Sequence, residues 1–357
     1  MIKILIINTL GLNYEGITSV IYNYIKNIKK ENLQFDFISF EGMNEGLKKD
    51  FEELGSVLTV PKRKNNILSY IKSLNSILKT PYDVVHIHGN SGTMAIESLF
   101  SKLHKIKKII VHCHNTTCNH PIFNKLLTPV MKCTADIRIG CSYAAGRWLY
   151  GNSKYTVLNN AIDLERFKYN DEIRKSCRLE FGIGNEFVIG HAGHFSKQKN
   201  HLFIIDVFAE LYKRQSNTKL LLVSDGPEME NIRAKVFSMG LEKNVIFAGR
   251  RSDMDRLYQA MDFFLLPSLW EGLPVVMLEA QACGLLLLVS NHITREAKCT
   301  KQVKYLSLDF GAEYWAEKIL EIKDKNNVRR NDSESELRRH GFDIKKEACK
   351  LREIYLR

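Results

Sequence analysis

The chain contains the run Asp262-Phe263-Phe264-Leu265-Leu266-Pro267-Ser268-Leu269, followed at once by Trp270-Glu271-Gly272-Leu273-Pro274-Val275-Val276-Met277-Leu278-Glu279-Ala280-Gln281-Ala282-Cys283-Gly284. The first run is short, apolar and stopped by a proline, the pattern of a buried strand. In the second, Pro274 has a fixed φ and no N–H to lose, so it suits a first helical turn and predicts a helix starting near Leu273. Strand, loop and helix in that order form the repeating unit of an open α/β sheet, which binds ligands at the carboxyl ends of its strands. Glu271 then lies in the loop, beside the free N–H groups and the positive end of the helix dipole. Glu279 sits further along the axis, at about 1.5 Å of rise per residue. Two carboxylates at the two ends of one bound molecule suit the sugar and the ribose of a nucleotide sugar. Glutamate is also a good helix former favoured near helix N-termini, so the pair alone leaves a purely structural reading open.

The same alternation extends in both directions. Lys3-Ile4-Leu5-Ile6-Ile7-Asn8 precedes a glycine-containing loop ending at Glu15-Gly16 and an amphipathic stretch from Ile17 to Lys30. Short apolar runs recur at Phe35–Ile38, Val84–His88 and Lys108–His112, and the pattern restarts at Phe187–Gly190 and Leu220–Val223. Strands alternating with helices predict mostly parallel sheets. The first loop lacks the G-x-G-x-x-G spacing of a dinucleotide fingerprint, which argues against a dehydrogenase. With 357 residues, two domains are expected. We place them at 1–165 and 166–340, with a Lys/Arg-rich terminal helix over 341–357.

The block Pro267–Gly284 resembles the signature of the retaining family 4 glycosyltransferases of the GT-B fold, those of capsular and exported polysaccharide assembly most closely. The likeness continues through Leu220–Pro227, Asn244–Arg250, Gly190–Asn200 and a hinge-like Val157–Phe167, covering residues 1 to about 310. It implies two Rossmann-like parallel-sheet domains facing each other across a cleft, the terminal helix crossing back to the first. It also implies the transfer of a hexose or N-acetylhexosamine from a UDP-sugar to a glycan acceptor, lipid-linked in surface polysaccharide synthesis.

By the same resemblance Glu271 takes a donor-sugar hydroxyl, Lys199 neutralises the departing diphosphate and His114 reaches the donor sugar. Glu279 takes the ribose, Gly272, Leu273 and Pro274 border the sugar and diphosphate, and Gly16 lies against the phosphates. Asp225 and Gly226 edge the cleft, and Arg250 lies near the base. His194 stands where the family has an arginine, and Glu15 where it has a glycine. Both changes weaken an anion site, so a nonenzymatic nucleotide-sugar-binding subunit of a transferase complex is a second reading, and a nucleotide-sugar epimerase a third. Retaining transfer passes through an oxocarbenium-like transition state with negative charge growing on the phosphate, which needs preorganised positive charge. No D-x-D pair follows a strand, so no metal and no cofactor are expected beside the donor.

The formal charge of +12 and pI near 9.2 call for an acidic partner. Basic clusters at Lys62-Arg63-Lys64 and at Lys102, Lys105, Lys107 and Lys108 suit an anionic membrane face as well as they suit solvated helix faces. Aromatics are not interleaved with them, which argues against nucleic acid. No apolar run reaches about 18 residues and no signal peptide is evident, so a cytoplasmic, membrane-peripheral location is expected. The eight cysteines lack regular spacing and read as reduced thiols. His112, Cys113, His114, Cys118 and His120 form a ligand-rich stretch, but strand alternation turns Cys113 away from its neighbours, against a zinc site there.

Overall fold

A computed structural model describes residues 1–13, 16–325, 330 and 333–357. The chain divides into two compact units, Met1–Ala161 with Gly341–Arg357, and Ile162–His340. The division therefore falls a few residues ahead of position 165, and the terminal helix Ile344–Leu356 belongs to the first unit.

The first unit is built on β1 (Ile2–Asn8), β2 (Leu33–Phe40), β3 (Ser56–Val60), β4 (Val84–Gly89), β5 (Lys108–Cys113), β6 (Ile137–Gly140) and β7 (Thr156–Val157), in the order β3-β2-β1-β4-β5-β6-β7. The second contains β8 (Phe187–Ala192), β9 (Thr218–Val223), β10 (Val245–Phe247), β11 (Phe263–Leu266), β12 (Leu286–Ser290) and β13 (Val303–Leu306), in the order β10-β9-β8-β11-β12-β13. Every pairing is parallel. Parallel strands need crossover connections, and helices on both faces bury them, hence the unbroken apolar runs. In each unit the chain reverses its direction of travel across the sheet once, between β1 and β4 and between β8 and β11. Those are the switch points where open sheets leave a crevice at their carboxyl ends.

A buried carboxylate ties the second unit together. Asp262, just before β11, accepts from the Val188 N–H at 2.8 Å and from Arg174 at 2.6 Å, and lies 3.3 Å from Arg178. Arg178 also donates to the carbonyls of Gly184, Glu186 and Ala260. The helix Asp171–Glu180 is thereby fixed to the start of the two central strands. In the first unit the terminal helix buries Ile344, Ala348, Leu351 and Tyr355. Its Tyr355 ring packs 6.0 Å from Phe35.

Lys62, Lys64, Lys102, Lys105 and Lys107 are exposed, and several members of the basic clusters are paired. Arg63 turns inward to the fully buried Glu97 at 3.0 Å. Lys102 pairs with Asp136, Lys107 with Asp83, and Lys108 donates to the carbonyls of Ile354 and Tyr355. The surface also offers the helix Pro121–Thr134, with Ile122, Phe123 and Leu126 at 72%, 60% and 66% exposure and Lys125 among them. Leu103 of the adjoining helix Ala95–Leu103 is exposed as well. Among the described residues no helix is long and apolar enough to cross a membrane.

Replacing Asp262 by Ala strips two arginines of their counter-ion while Arg178 stays buried, which costs about 3–5 kcal/mol. The urea midpoint of the second unit is therefore expected to fall well below that of the parent, and an unchanged midpoint refutes the tether.

Candidate functional site

The loops that leave β8 and β11 bring Lys199 and Glu271 together. After β8 the chain runs through Gly193 and His194 into a 3-10 turn, Lys197–Lys199, and then the helix His201–Arg214. After β11 it runs through Pro267–Pro274 into the helix Val275–Ala282. Lys199 Nζ meets Glu271 Oε1 at 2.6 Å, both side chains mostly buried. Gln198 reinforces the contact, donating to Glu271 Oε2 at 3.2 Å and to the Trp270 carbonyl at 2.9 Å. Leu269 N donates back to Gln198 O, and Asn200 Nδ2 to Pro267 O. Asn200 takes up the left-handed backbone, φ 58°, that aims the turn into its helix.

Gly193 makes room for the lysine. A Cβ there would lie 3.0 Å from Lys199 Cε and 3.2 Å from His191 Nε2. Gly226 has a different obligation, since a Cβ on it would fall 2.5 Å from the Phe195 carbonyl oxygen. That close approach lets Phe195 N donate to Asp225 O and Glu228 N to Phe195 O, locking the β8 and β9 loops side by side. Asp225 and Arg250 form an ion pair at the rim. His194 is exposed.

The helix begins at Val275, not near Leu273. Pro274 is its N-cap, with ψ 111° holding the backbone extended while its carbonyl accepts from Met277 N. Leu273 and Pro274 are buried, and Gly272 is half-buried in the loop. Glu279 is likewise not a bare carboxylate. Its Oε2 accepts from the Tyr258 hydroxyl at 2.9 Å, and burial pushes its pKa up to about 7. Neither Tyr258 nor Gln198 was legible in the sequence, because each acquires its role only from a partner distant along the chain.

His114 and Gly16 belong to the first unit. Gly16 opens the helix Gly16–Asn27, is exposed, and has nothing within 4 Å of where a Cβ would stand. Glu15 lies outside the described residues. His114 sits just past β5, its N–H donating to Gly89 O and its Nε2 held 2.9 Å from His88 Nδ1. Burial lowers its pKa to about 3, so the ring is neutral. His112 and His114 do share a face, their ring centroids 4.1 Å apart, whereas the Cys113 thiol turns to Asn115 O. Besides His114, the histidines that gather around His112 are His86 and His88 of β4.

Two family profiles match this chain, "Glycosyltransferase Family 4" over residues 14–166 and "Glycosyl transferases group 1" over residues 177–337. The chain is a family 4 glycosyltransferase of the GT-B fold. It is 29% identical to the putative glycosyltransferase EpsF of Bacillus subtilis, over 97% of this chain and 94% of that one. It is 26% identical to the UDP-Gal:alpha-D-GlcNAc-diphosphoundecaprenol alpha-1,3-galactosyltransferase of Escherichia coli, over 83% of this chain and 82% of that protein. The crystal structure of Anabaena HepE in complex with UDP and glucose superposes with a TM-score of 0.82 over 99% of both chains at 17% identity, a likeness of fold.

Glu279 also supplies a titration. Its folded pKa, about 7, lies above its ordinary 4.5, so its contribution to stability is complete below the ordinary value and is lost as pH rises through the folded one. Melting temperatures of the parent are expected to fall between about pH 5 and about pH 8 by more than those of Glu279→Gln, which has no proton to lose. Parallel curves for the two proteins refute the assignment.

Proposed function

We propose that this glycosyltransferase moves a hexose or N-acetylhexosamine from a UDP-sugar to a lipid-linked glycan, with retention and without a metal at the diphosphate. The observation that carries the reading is the Lys199–Glu271 pair at the β8/β11 switch point. At rest the two charges satisfy one another. Electrostatic attraction scales with the product of charges. The two negative charges of a diphosphate diester therefore outcompete the single carboxylate for Lys199. Donor binding thus swings the ammonium onto the leaving group and frees Glu271 to accept from a donor-sugar hydroxyl. The first-turn N–H groups of the helix Val275–Ala282 add fixed positive charge where negative charge grows in the transition state. Glu279, held by Tyr258, takes the ribose hydroxyls. Asp225 and Arg250 border the nucleotide. Neutral His114 offers a ring nitrogen to the donor sugar. The family match and the diphosphoundecaprenol acceptor in the name of the E. coli relative support the donor and acceptor classes.

A lipid-linked acceptor brings the enzyme to a membrane. We assign that contact to the exposed face of the helix Pro121–Thr134, where apolar side chains alternate with lysine on a chain of net charge +12, a combination that fits an anionic lipid surface. The protein then lies on the inner face of the cell membrane without spanning it.

UDP should raise the melting temperature in EDTA, and UDP release from a UDP-sugar panel should accelerate with a lipid-diphosphate glycan. Glu279→Ala is expected to weaken UDP binding by roughly one to two orders of magnitude, the cost of about 1.5–3 kcal/mol for lost bonds to a charged group. Glu271→Gln removes the competitor for Lys199, so UDP should bind several-fold tighter while turnover falls. A UDP shift with no UDP release from any donor points to a nonenzymatic binding subunit. UDP affinity unchanged in Glu271→Gln sinks the exchange of partners.

Phe123→Ser with Leu126→Ser removes two apolar side chains worth about 1.5–3 kcal/mol each when buried, so partition onto anionic vesicles should fall by tenfold or more. Sedimentation of vesicles made with and without phosphatidylglycerol measures it. Equal partition of parent and variant refutes the assignment of that helix.

A further inference from the structure

β4 and β5 lie side by side with His88 opposite His112. Strand alternation keeps His86 with His88 and His112 with His114 on one face. Their rings form a ladder, with centroids 4.0 Å apart for His86 and His88, 5.1 Å for His88 and His112, and 4.1 Å for His112 and His114. All four are buried. One ring nitrogen from each of His86, His88 and His112 lies within 4.8 Å of the other two. The outer nitrogens are held, since His86 Nδ1 meets the Tyr355 hydroxyl at 2.8 Å and His88 Nδ1 meets His114 Nε2 at 2.9 Å. His86 Nε2 and both nitrogens of His112 have no hydrogen-bond partner among the described residues. Leaving a buried polar group unpaired costs about 1–3 kcal/mol, so three such atoms on one sheet face are a standing cost that valine or leucine would avoid.

We propose that His86, His88 and His112 bind a divalent transition-metal ion of the zinc type, through Nε2 of His86, Nε2 of His88 and a ring nitrogen of His112. Three converging imidazoles are a ligand set for zinc, copper or nickel and not for calcium or magnesium. Ligating histidines characteristically have their second nitrogen fixed by an outer partner, which is what Tyr355 and His114 do here. Zinc–nitrogen bonds of about 2.0–2.1 Å place tetrahedral ligand atoms roughly 3.4 Å apart, and small ring rotations close the remaining gap. The ion joins β4 to β5 beneath the terminal helix that carries Tyr355. It lies in the first unit. With Nε2 on the metal, His88 carries its proton on Nδ1 and donates to His114 Nε2, which fixes the tautomer of His114. That consequence rests on the role proposed for His114, whereas the metal content does not.

The test uses the full chain without an affinity tag, produced in zinc-supplemented medium, dialysed against EDTA and measured by plasma mass spectrometry. About one equivalent of zinc per chain is expected to survive, because a buried site exchanges slowly. His112→Gln and, separately, His86→Gln should each lose it while keeping the parent's UDP-induced shift in melting temperature, which shows that the variants fold. If neither variant folds, parent refolded with cobalt(II) is the second readout, and visible d–d bands of a four-coordinate site are expected. Parent with less than about a tenth of an equivalent of zinc and no cobalt bands overturns the proposal and leaves the nitrogens to water. Such a parent that still transfers sugar refutes the metal site alone, and a metal-loaded parent that transfers none refutes the transferase reading alone.

Discussion

Parallel strands cannot be joined by tight turns, and from that constraint the rest of this structure follows. Each connection must cross the sheet, so chains leaving neighbouring strands on either side of a switch point diverge and leave a crevice between them. In the second unit the two chains that diverge are those after β8 and β11. One delivers Lys199 and the other Glu271, and the 2.6 Å contact between them is the shortest bridge across that gap. The remaining contacts of the loops, from Gln198 to Trp270 and from Asn200 to Pro267, hold the same two chains in register.

A pair of opposite charges at such a place is a resting arrangement with a built-in response to anions. Isolated, either ion would bear a desolvation penalty that its partner offsets. In the proposed function an incoming diphosphate offers the lysine more negative charge than the carboxylate does, so donor binding and release of Glu271 become one event. The alternative design, a permanent arginine clamp, is absent at position 194, where an exposed histidine stands. In the same proposal the burden of positive charge falls on Lys199 and the helix amides, with Gly193 leaving room for the lysine.

The first unit spends its polar groups differently. Arg63, Lys102, Lys107 and Lys108 are engaged in ion pairs and carbonyl contacts, and three strongly exposed apolar side chains, Ile122, Phe123 and Leu126, lie on one helix. Its histidines form a buried ladder from Tyr355 on the terminal helix to His114 past β5. A sheet interior lined with imidazole in place of valine is a stability cost, and it points to chemistry at that face.

The sequence by itself determined the α/β class, a two-unit division that it placed at 165 and the structure puts after Ala161, and the Pro267–Gly284 block as strand, loop and helix, because apolar periodicity and proline placement are local. It marked Lys199, Glu271 and Glu279 as the residues to follow. It missed the helix start by two positions, since Pro274 fits an N-cap as well as a first turn and only its ψ decides between them. Tertiary structure alone decided that Lys199 and Glu271 meet, that Tyr258 holds Glu279, that Arg63 turns inward, and that His112 joins His86 and His88. Each of those contacts joins residues far apart along the chain, and which strand lies beside which is set by the packing of the whole sheet.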